Sequence, residues 1–135
     1  MASGKSNYLA QKLLDLEFGL GAFTFPATGY LALFTTAQTP ANTGTEVSGS
    51  NYSRVGVALS SAQWARVAQT VSNLNLQLFP VFSGNVPTVL SVGVYDAATG
   101  GNLLWYADLA PAYQKSFTAG DQAVYPSGAV TITES

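Results

Sequence analysis

The sequence contains neither cysteine nor histidine. Without cysteine, the chain has no disulfide, no thiolate metal site and no cysteine nucleophile. Without histidine, it lacks the usual general base and the commonest protein ligand of zinc, copper and nickel. A serine nucleophile would therefore lack the histidine that normally activates it. We predict no catalytic residue, no metal site and no cofactor site, and expect a protein that is not an enzyme.

Charged residues are also scarce. They make up 9% of the 135 residues, against about 25% in an average soluble domain. Five cationic residues and a net charge of −2 supply no basic surface for a nucleic acid backbone. Hydroxyl and amide groups take the place of charges, which favours an assembled state, because removing charges from water in an interface is costly.

The sequence also shows neither a membrane-spanning apolar run nor the pattern of a secretory signal. No apolar run approaches the roughly 20 residues that span a bilayer. The first apolar residues are interrupted by Gln11, Lys12, Asp15 and Glu17, which is unlike a secretory signal. We therefore expect a protein that is made in a cytoplasm and does not bind membranes.

A single helix is predicted near the N-terminus. Ser6 is a candidate cap for its first turn, and Gly19 and Gly21 provide a stop. Because a helix of ~12–15 residues is marginal alone, its apolar stripe must pack, either on its own domain or on a neighbouring chain. The stripe consists of Leu9, Leu13, Leu16 and Leu20.

The rest of the chain predicts about six to eight short strands separated by turns. Residues 30–36 form a continuous apolar run, typical of an interior strand covered on both faces. We predict one mainly β domain over residues 1–135, with an arm and helix over 1–20 and a β domain over 22–135. The expected fold is an antiparallel β-sandwich, jelly-roll-like or small-barrel domain preceded by one N-terminal α-helix.

Residues 72–79 read SNLNLQLF and alternate between polar and apolar side chains. Such alternation is typical of a strand with one buried face. It predicts an interior position for the leucines and an exterior position for the amides. The leucines are Leu74, Leu76 and Leu78, and the amides are Asn73, Asn75 and Gln77.

Residues 92–105 read VGVYDAATGGNLLW, in which Asp96 stands close to Gly100 and Gly101. A calcium loop would need further acidic ligands, and a phosphate loop would need a helix after the glycines. A strand pattern follows instead. We therefore interpret the segment as a hairpin corner in which Asp96 bonds the turn and the glycines adopt positive φ.

Candidate interface residues come from the N-terminal arm, from the region around the polar loop 37–51, and from a connection that contains Trp64. The loop fits a polar contact between subunits or a plain flexible loop. Exposed, Trp64 and Arg66 would suit an interface hot spot; buried, Trp64 would only fill the core. The candidates are Ala2, Ser3, Lys5, Asn7, Glu46, Tyr52, Arg54, Trp64 and Arg66.

Four stretches of sequence, spread over nearly the whole chain, occur in an order that is also found elsewhere. They read LAQKLLDLEFG, YLALFTT with GTEVSGSNYSRV, VGVYDAATGGNLLWYADL, and FTAGDQAVYPSGAVTIT. Together they resemble a family of small structural proteins of tailed bacteriophages. The resemblance is weakest over residues 60–88.

The resemblance implies a virion component made in the host cytoplasm. Members of this family are commonly labelled tail-fibre proteins, and others look like capsid decoration (cement) proteins. A fibre shaft needs a coiled coil or a repeating β-structure, and the sequence has neither. We therefore expect a cement protein, a homotrimer on the outer capsid surface that binds the major capsid protein and stabilises contacts between capsomers. The alternative is a tail-associated protein, either a fibre adaptor or a receptor-binding module.

Overall fold

The structure, a computed structural model, describes residues 3–134. Within this range the chain is mainly β and has one α-helix near its N-terminus, which confirms the predicted fold class. The elements are β1 (Ser3–Lys5), α1 (Asn7–Glu17), β2 (Thr28–Phe34), β3 (Val55–Ala58), β4 (Trp64–Val67), β5 (Thr70–Asn73), β6 (Gln77–Leu78), β7 (Ser91–Tyr95), β8 (Leu103–Asp108), a 3-10 turn (Pro111–Tyr113), β9 (Val124–Tyr125) and β10 (Thr131–Thr133).

The strands form three antiparallel sheets. The largest has five strands in the order β1-β8-β7-β2-β3, the second has the order β10-β5-β4, and the third pairs β6 with β9. The five-stranded sheet has open edges at β1 and β3, so residues 3–134 form layers and no closed barrel. The main hydrophobic core contains side chains from all three sheets.

Strand β2 is the interior strand that its apolar run predicts. It lies between β7 and β3, and its last four residues are fully buried. Successive side chains point to opposite faces of the sheet. Leu31 and Leu33 enter the main core, whereas Ala32 and Phe34 pack with Tyr95 in a smaller cluster.

Helix α1 is held at its first turn. The Ser6 hydroxyl accepts a hydrogen bond from the amide of Leu9 at 3.1 Å, which confirms the predicted cap. The Ser6 amide donates to the carbonyl of Leu104 at 2.8 Å, and the Asn7 amide donates to the carbonyl of Pro40 at 2.7 Å. These bonds fix the start of the helix to β8 and to the loop after β2.

The rest of the predicted stripe does not pack on the described domain. Leu9 is fully buried and Leu13 is half-buried, but Leu16 and Leu20 are exposed. The helix ends at Glu17, so Leu20 lies beyond it. The apolar residues at the C-terminal end of the helix are therefore mostly exposed.

The predicted alternation over residues 72–79 is inverted except at Asn75, which is exposed as predicted. Asn73 is only 1% exposed and Gln77 is 6% exposed. The leucines lie outside, with Leu74 at 42%, Leu76 at 52% and Leu78 at 47% exposure. The prediction that these leucines face the interior is wrong.

Hydrogen bonds of Asn73 explain the inversion. Its Nδ2 donates to the carbonyl of Asn75 at 2.9 Å and to that of Pro126 at 3.1 Å. Its Oδ1 accepts from the amide of Val130 at 2.9 Å, and its own carbonyl accepts from the amide of Gly128 at 2.8 Å. A buried amide with all these partners is stable inside, so Asn73 joins β5 to the segment before β10.

The Asn73→Ala variant tests this account. It would leave the buried amide of Val130 without its partner and remove the bonds to the carbonyls of Asn75 and Pro126, so we expect the free energy of unfolding to fall by about 2 kcal/mol. Urea unfolding followed by circular dichroism measures the change. The matched control is Asn85→Ala at an exposed asparagine, for which we expect a change within about 0.5 kcal/mol. Equal stability of the two variants would contradict the role given to Asn73.

Candidate interaction surfaces

The N-terminal candidates Ser3 and Lys5 lie on an edge strand. Strand β1 pairs with β8 in the five-stranded sheet. The Ser3 hydroxyl donates to the carbonyl of Thr133 and accepts from its amide, each at 3.1 Å. Lys5 Nζ lies 3.0 Å from a carboxylate oxygen of Glu134. These contacts join the two ends of the described chain. We call them the terminal clamp.

The other two N-terminal candidates are Asn7 and Ala2. Asn7 is exposed at the first position of α1. Ala2 lies outside the residues that the structure describes. Their part in an interface remains a prediction.

Glu46 and Arg54 form a bidentate ion pair. Arg54 Nη2 lies 2.8 Å from Glu46 Oε1, and Arg54 Nε donates to Glu46 Oε2 at 2.9 Å. The Arg54 side chain is only 7% exposed, and its guanidinium carbon lies 3.8 Å from the centre of the Tyr95 ring. Two parallel hydrogen bonds and a stacked ring give this pair more fixed geometry than an ordinary surface pair has.

Tyr52 completes the same network. Its hydroxyl donates to Glu46 Oε2 at 2.7 Å and accepts from the amide of Leu33 at 3.0 Å. Burial by itself raises the pKa of Glu46, but hydrogen bonds from Arg54 and Tyr52 and the charge of Arg54 outweigh it, and the pKa is lowered overall. Burial and the bond to Glu46 raise the pKa of Tyr52, so its hydroxyl keeps its proton.

The hairpin after β7 is the corner that its sequence predicts. Asp96 Oδ1 accepts from the amide of Asn102 at 2.7 Å, and Gly100 and Gly101 both have positive φ. Arg54 Nη1 donates to the carbonyl of Gly100 at 2.8 Å and to that of Ala97 at 2.9 Å. The guanidinium therefore holds this corner against Glu46, which belongs to the loop 37–51.

That loop has a buried polar anchor of its own. Gln38 is buried, and its Oε1 accepts from the amide of Gly44 at 2.8 Å. Its Nε2 donates to Asn42 Oδ1 at 3.0 Å, which also accepts from the Tyr95 hydroxyl at 2.8 Å. These bonds give the loop a defined conformation, whereas the sequence left open a plain flexible loop.

Trp64 and Arg66 lie on strand β4, where the sequence predicts a connection. The side chain of Trp64 packs against the main core and also lines a cleft of about 390 Å³. Arg66 is exposed at this cleft. The cleft wall is largely apolar and includes Leu59, Trp64, Arg66, Val71, Trp105 and Ile132. The sequence left open whether Trp64 is buried or exposed. In the structure its side chain is partly buried against the core and partly lines the cleft.

Trp105 is a cleft residue that sequence reasoning did not select. It belongs to β8, and its ring stacks on Phe25 with ring centres 6.0 Å apart. Phe25 in turn contacts Phe23 edge to face at 4.9 Å. The segment after helix α1 thus lies against the five-stranded sheet through aromatic contacts.

A second apolar surface follows from the inverted segment around β6. Leu78 in β6 pairs directly with Val124 in β9, and both side chains are exposed. Sequence reasoning missed this surface because leucines are normally assigned to the interior. We call it the leucine surface, and its members are Leu74, Leu76, Leu78, Val81 and Val124.

Candidate sites of other kinds are not evident in residues 3–134. No group of three or more acidic side chains there is placed to hold a metal ion. No helix in this range is both long and apolar enough to cross a membrane.

Comparison with protein families identifies the chain. The sequence model of the Gp80 family, described as podophage GP4 fiber I protein gp80, matches residues 4–133. The chain belongs to this family. The resemblance to structural proteins of tailed-phage virions is therefore confirmed, and the Gp80 match extends across residues 60–88, where the resemblance was weakest. A comparison with curated proteins gave no significant match.

The network around Arg54 gives a pH-dependent prediction for this Gp80 protein. Glu46→Gln removes the charge but keeps the shape, and we expect it to lower the free energy of unfolding by about 1–2 kcal/mol near neutral pH. Because the folded pKa of Glu46 lies below its unfolded value, its contribution is present above the unfolded pKa and is lost as the pH falls through the folded pKa. The difference between wild type and variant should therefore shrink in acid.

Urea unfolding near pH 7 and at about pH 3 measures this difference. Glu17→Gln is the control, because Glu17 is exposed at the end of α1. We expect it to leave stability nearly unchanged at both pH values. A Glu46→Gln difference of the same size at both pH values would contradict the role of the carboxylate charge.

Proposed function

We propose that this protein is a non-enzymatic component of a phage fibre that acts by binding other protein subunits. The observation that carries the proposal is the family match over residues 4–133 to a fibre protein. The fold supports it, because apolar side chains are exposed both at the C-terminal end of α1 and on the leucine surface. Exposed apolar patches of this kind are typical of protein contact sites.

The shape of the chain supports a module of the fibre rather than its shaft. A shaft needs a sustained periodic structure, whereas residues 3–134 fold into three short sheets and one short helix. A compact module with defined loops suits a joint between a fibre and the particle or the tip of a fibre. We propose that it works there as a homotrimer.

A capsid cement protein is the second candidate. The same short sheets and helix favour it, because a small body without a shaft suits binding to a lattice. In that case the partner is the major capsid protein, and each homotrimer lies on the outer capsid surface. Many weak contacts per trimer then act together through avidity.

The position and number of copies on the particle distinguish the two candidates. Purified virions would be labelled with an antibody against this protein and imaged, and copies would be counted by quantitative mass spectrometry. For a fibre module we expect label at the tail and copies on the order of tens, since fibres are few and symmetric. The major capsid protein, counted in the same sample, is the internal standard.

Two other outcomes would overturn the fibre assignment. Label over the head with a copy number comparable to the major capsid protein would favour the cement protein. Absence of the protein from purified virions would contradict both candidates.

A further inference from the structure

Helix α1 carries an exposed apolar pair on the side that faces away from the domain. Leu14 and Phe18 are 54% and 74% exposed. The Phe18 amide donates to the Leu14 carbonyl at 3.0 Å, so the helical pattern continues to Phe18 and the two side chains are neighbours on one face. Phe18 follows the fully buried Leu9 by about two and a half turns, which places it on the opposite side of the helix. We call Leu14 and Phe18 the outer ridge.

The chain after the outer ridge has a fixed conformation. The Leu20 amide donates to the carbonyl of Asp15 at 2.7 Å, and the Gly19 amide donates to the carbonyl of Leu16 at 3.4 Å. Gly19 has a φ of 69°. Together these features form a Schellman motif, which ends the helix in a defined way. A partner that binds the outer ridge would therefore pay little for ordering it.

Two acidic residues flank the outer ridge. Asp15 and Glu17 are each three positions from one of its members, so each is a neighbour on the helix surface. Carbonyl groups at this end of a helix carry partial negative charge, and the last turn contains no basic residue. Lys12, the one cation of α1, lies 5.7 Å from the centre of the Tyr8 ring. Neither acid forms an ion pair within residues 3–134, so a cation from a partner would be stabilising here.

The cleft beside β4 has the matching chemistry. Its wall is largely apolar and includes the rings of Trp64 and Trp105. Among the described residues, Arg66 is the one charged side chain that lines it. Arg66 Nη1 donates to the carbonyl of Ala68 at 2.9 Å, but the guanidinium has no acidic partner within residues 3–134. The cleft therefore suits an apolar group that is accompanied by carboxylates.

One acidic residue lies near this cleft. Glu134 lines an adjoining hollow that shares Arg66 and Trp105 with it. The Glu134 carboxylate lies 3.0 Å from Lys5 Nζ in the terminal clamp. Its charge is thus balanced by Lys5, and the guanidinium of Arg66 can pair with a carboxylate from another molecule.

We propose that the outer ridge of one copy binds in the cleft of another copy, where Arg66 faces Asp15 and Glu17. An apolar helix face that binds in a groove is a common mode of protein recognition. Because the ridge and the cleft are different surfaces, the contact is head to tail, and it forms a ring where the rotation between copies closes. The proposal rests on the proposed function in one respect, that the protein acts as an oligomer. It adds the two surfaces that form the contact.

The oligomeric state of the purified full chain tests the apolar part of the contact. Size-exclusion chromatography with light scattering would compare wild type with Leu14→Ser combined with Phe18→Ser. The matched control is Leu76→Ser with Leu78→Ser, which changes two exposed residues of the leucine surface. We expect wild type and control to form the same oligomer and the ridge variant to dissociate at least ~10-fold more readily. Circular dichroism would verify that all three are folded.

Charge reversal tests the polar part of the contact. Arg66→Glu would place like charges opposite each other, as would Asp15→Lys with Glu17→Lys, so we expect either change to weaken the oligomer at least ~10-fold. The three substitutions in one chain should restore it, because opposite charges again face each other. Such a recovery would show that the single changes act on the contact and not on folding.

Cross-linking tests whether the contact is head to tail. The chain has no cysteine, so Gln11→Cys creates a single thiol beside the outer ridge, and Ala65→Cys creates one at the cleft. Both positions are exposed. A short bismaleimide should join the two variants when they are mixed. It should leave each variant alone largely monomeric on a denaturing gel.

Five results would overturn the proposal. They are a monomeric wild type at all concentrations tested, an oligomer that the ridge variant or Arg66→Glu leaves intact, dissociation of the leucine-surface control, no recovery in the combined charge variant, and cross-links within each cysteine variant in place of links between them. Failure of the proposed function is distinguishable, because it would appear in the virion labelling while the solution oligomer remained.

Discussion

The side-chain amide of Asn73 is the constraint on which the outer surface of this protein depends. It connects two parts of the chain that are distant in sequence, because besides the nearby Asn75 its bonds reach Pro126 and Val130. After Asn73 the chain leaves β5, and Gln77 is buried again in β6. The three leucines of this segment are exposed. Two polar residues thus occupy the interior beside apolar residues that meet the solvent.

Arg54 has a comparable role at the loop 37–51. Its guanidinium binds Glu46, stacks on Tyr95 and donates to the carbonyls of the hairpin corner. Arg54 therefore links the polar loop 37–51 to the hairpin after β7 and stabilises the position of one against the other. The hydrogen-bonding groups of Arg54 and Glu46 are largely paired within the chain.

Local rules predicted much of the fold, and non-local bonds account for the errors. The Ser6 cap, the buried run of β2 and the hairpin corner each depend on residues close in sequence, and all three are confirmed. The inverted leucines depend on a bond between Asn73 and a residue 57 positions away, which no local pattern contains. Glu46, Tyr52 and Arg54 were among the interface candidates, but sequence spacing could not reveal that they bind each other. Their part in contacts between subunits stays a prediction.

The terminal clamp has a mechanical consequence. Ser3 bonds Thr133, and Lys5 pairs with Glu134, so the two ends of the described chain are fastened at one place. Each of these partly exposed contacts contributes about 1 kcal/mol or less. Tension applied between the ends of the chain would act first on this clamp. The central strands would carry load only after the clamp had opened, so a pull on the ends would be absorbed at the edge of the sheet.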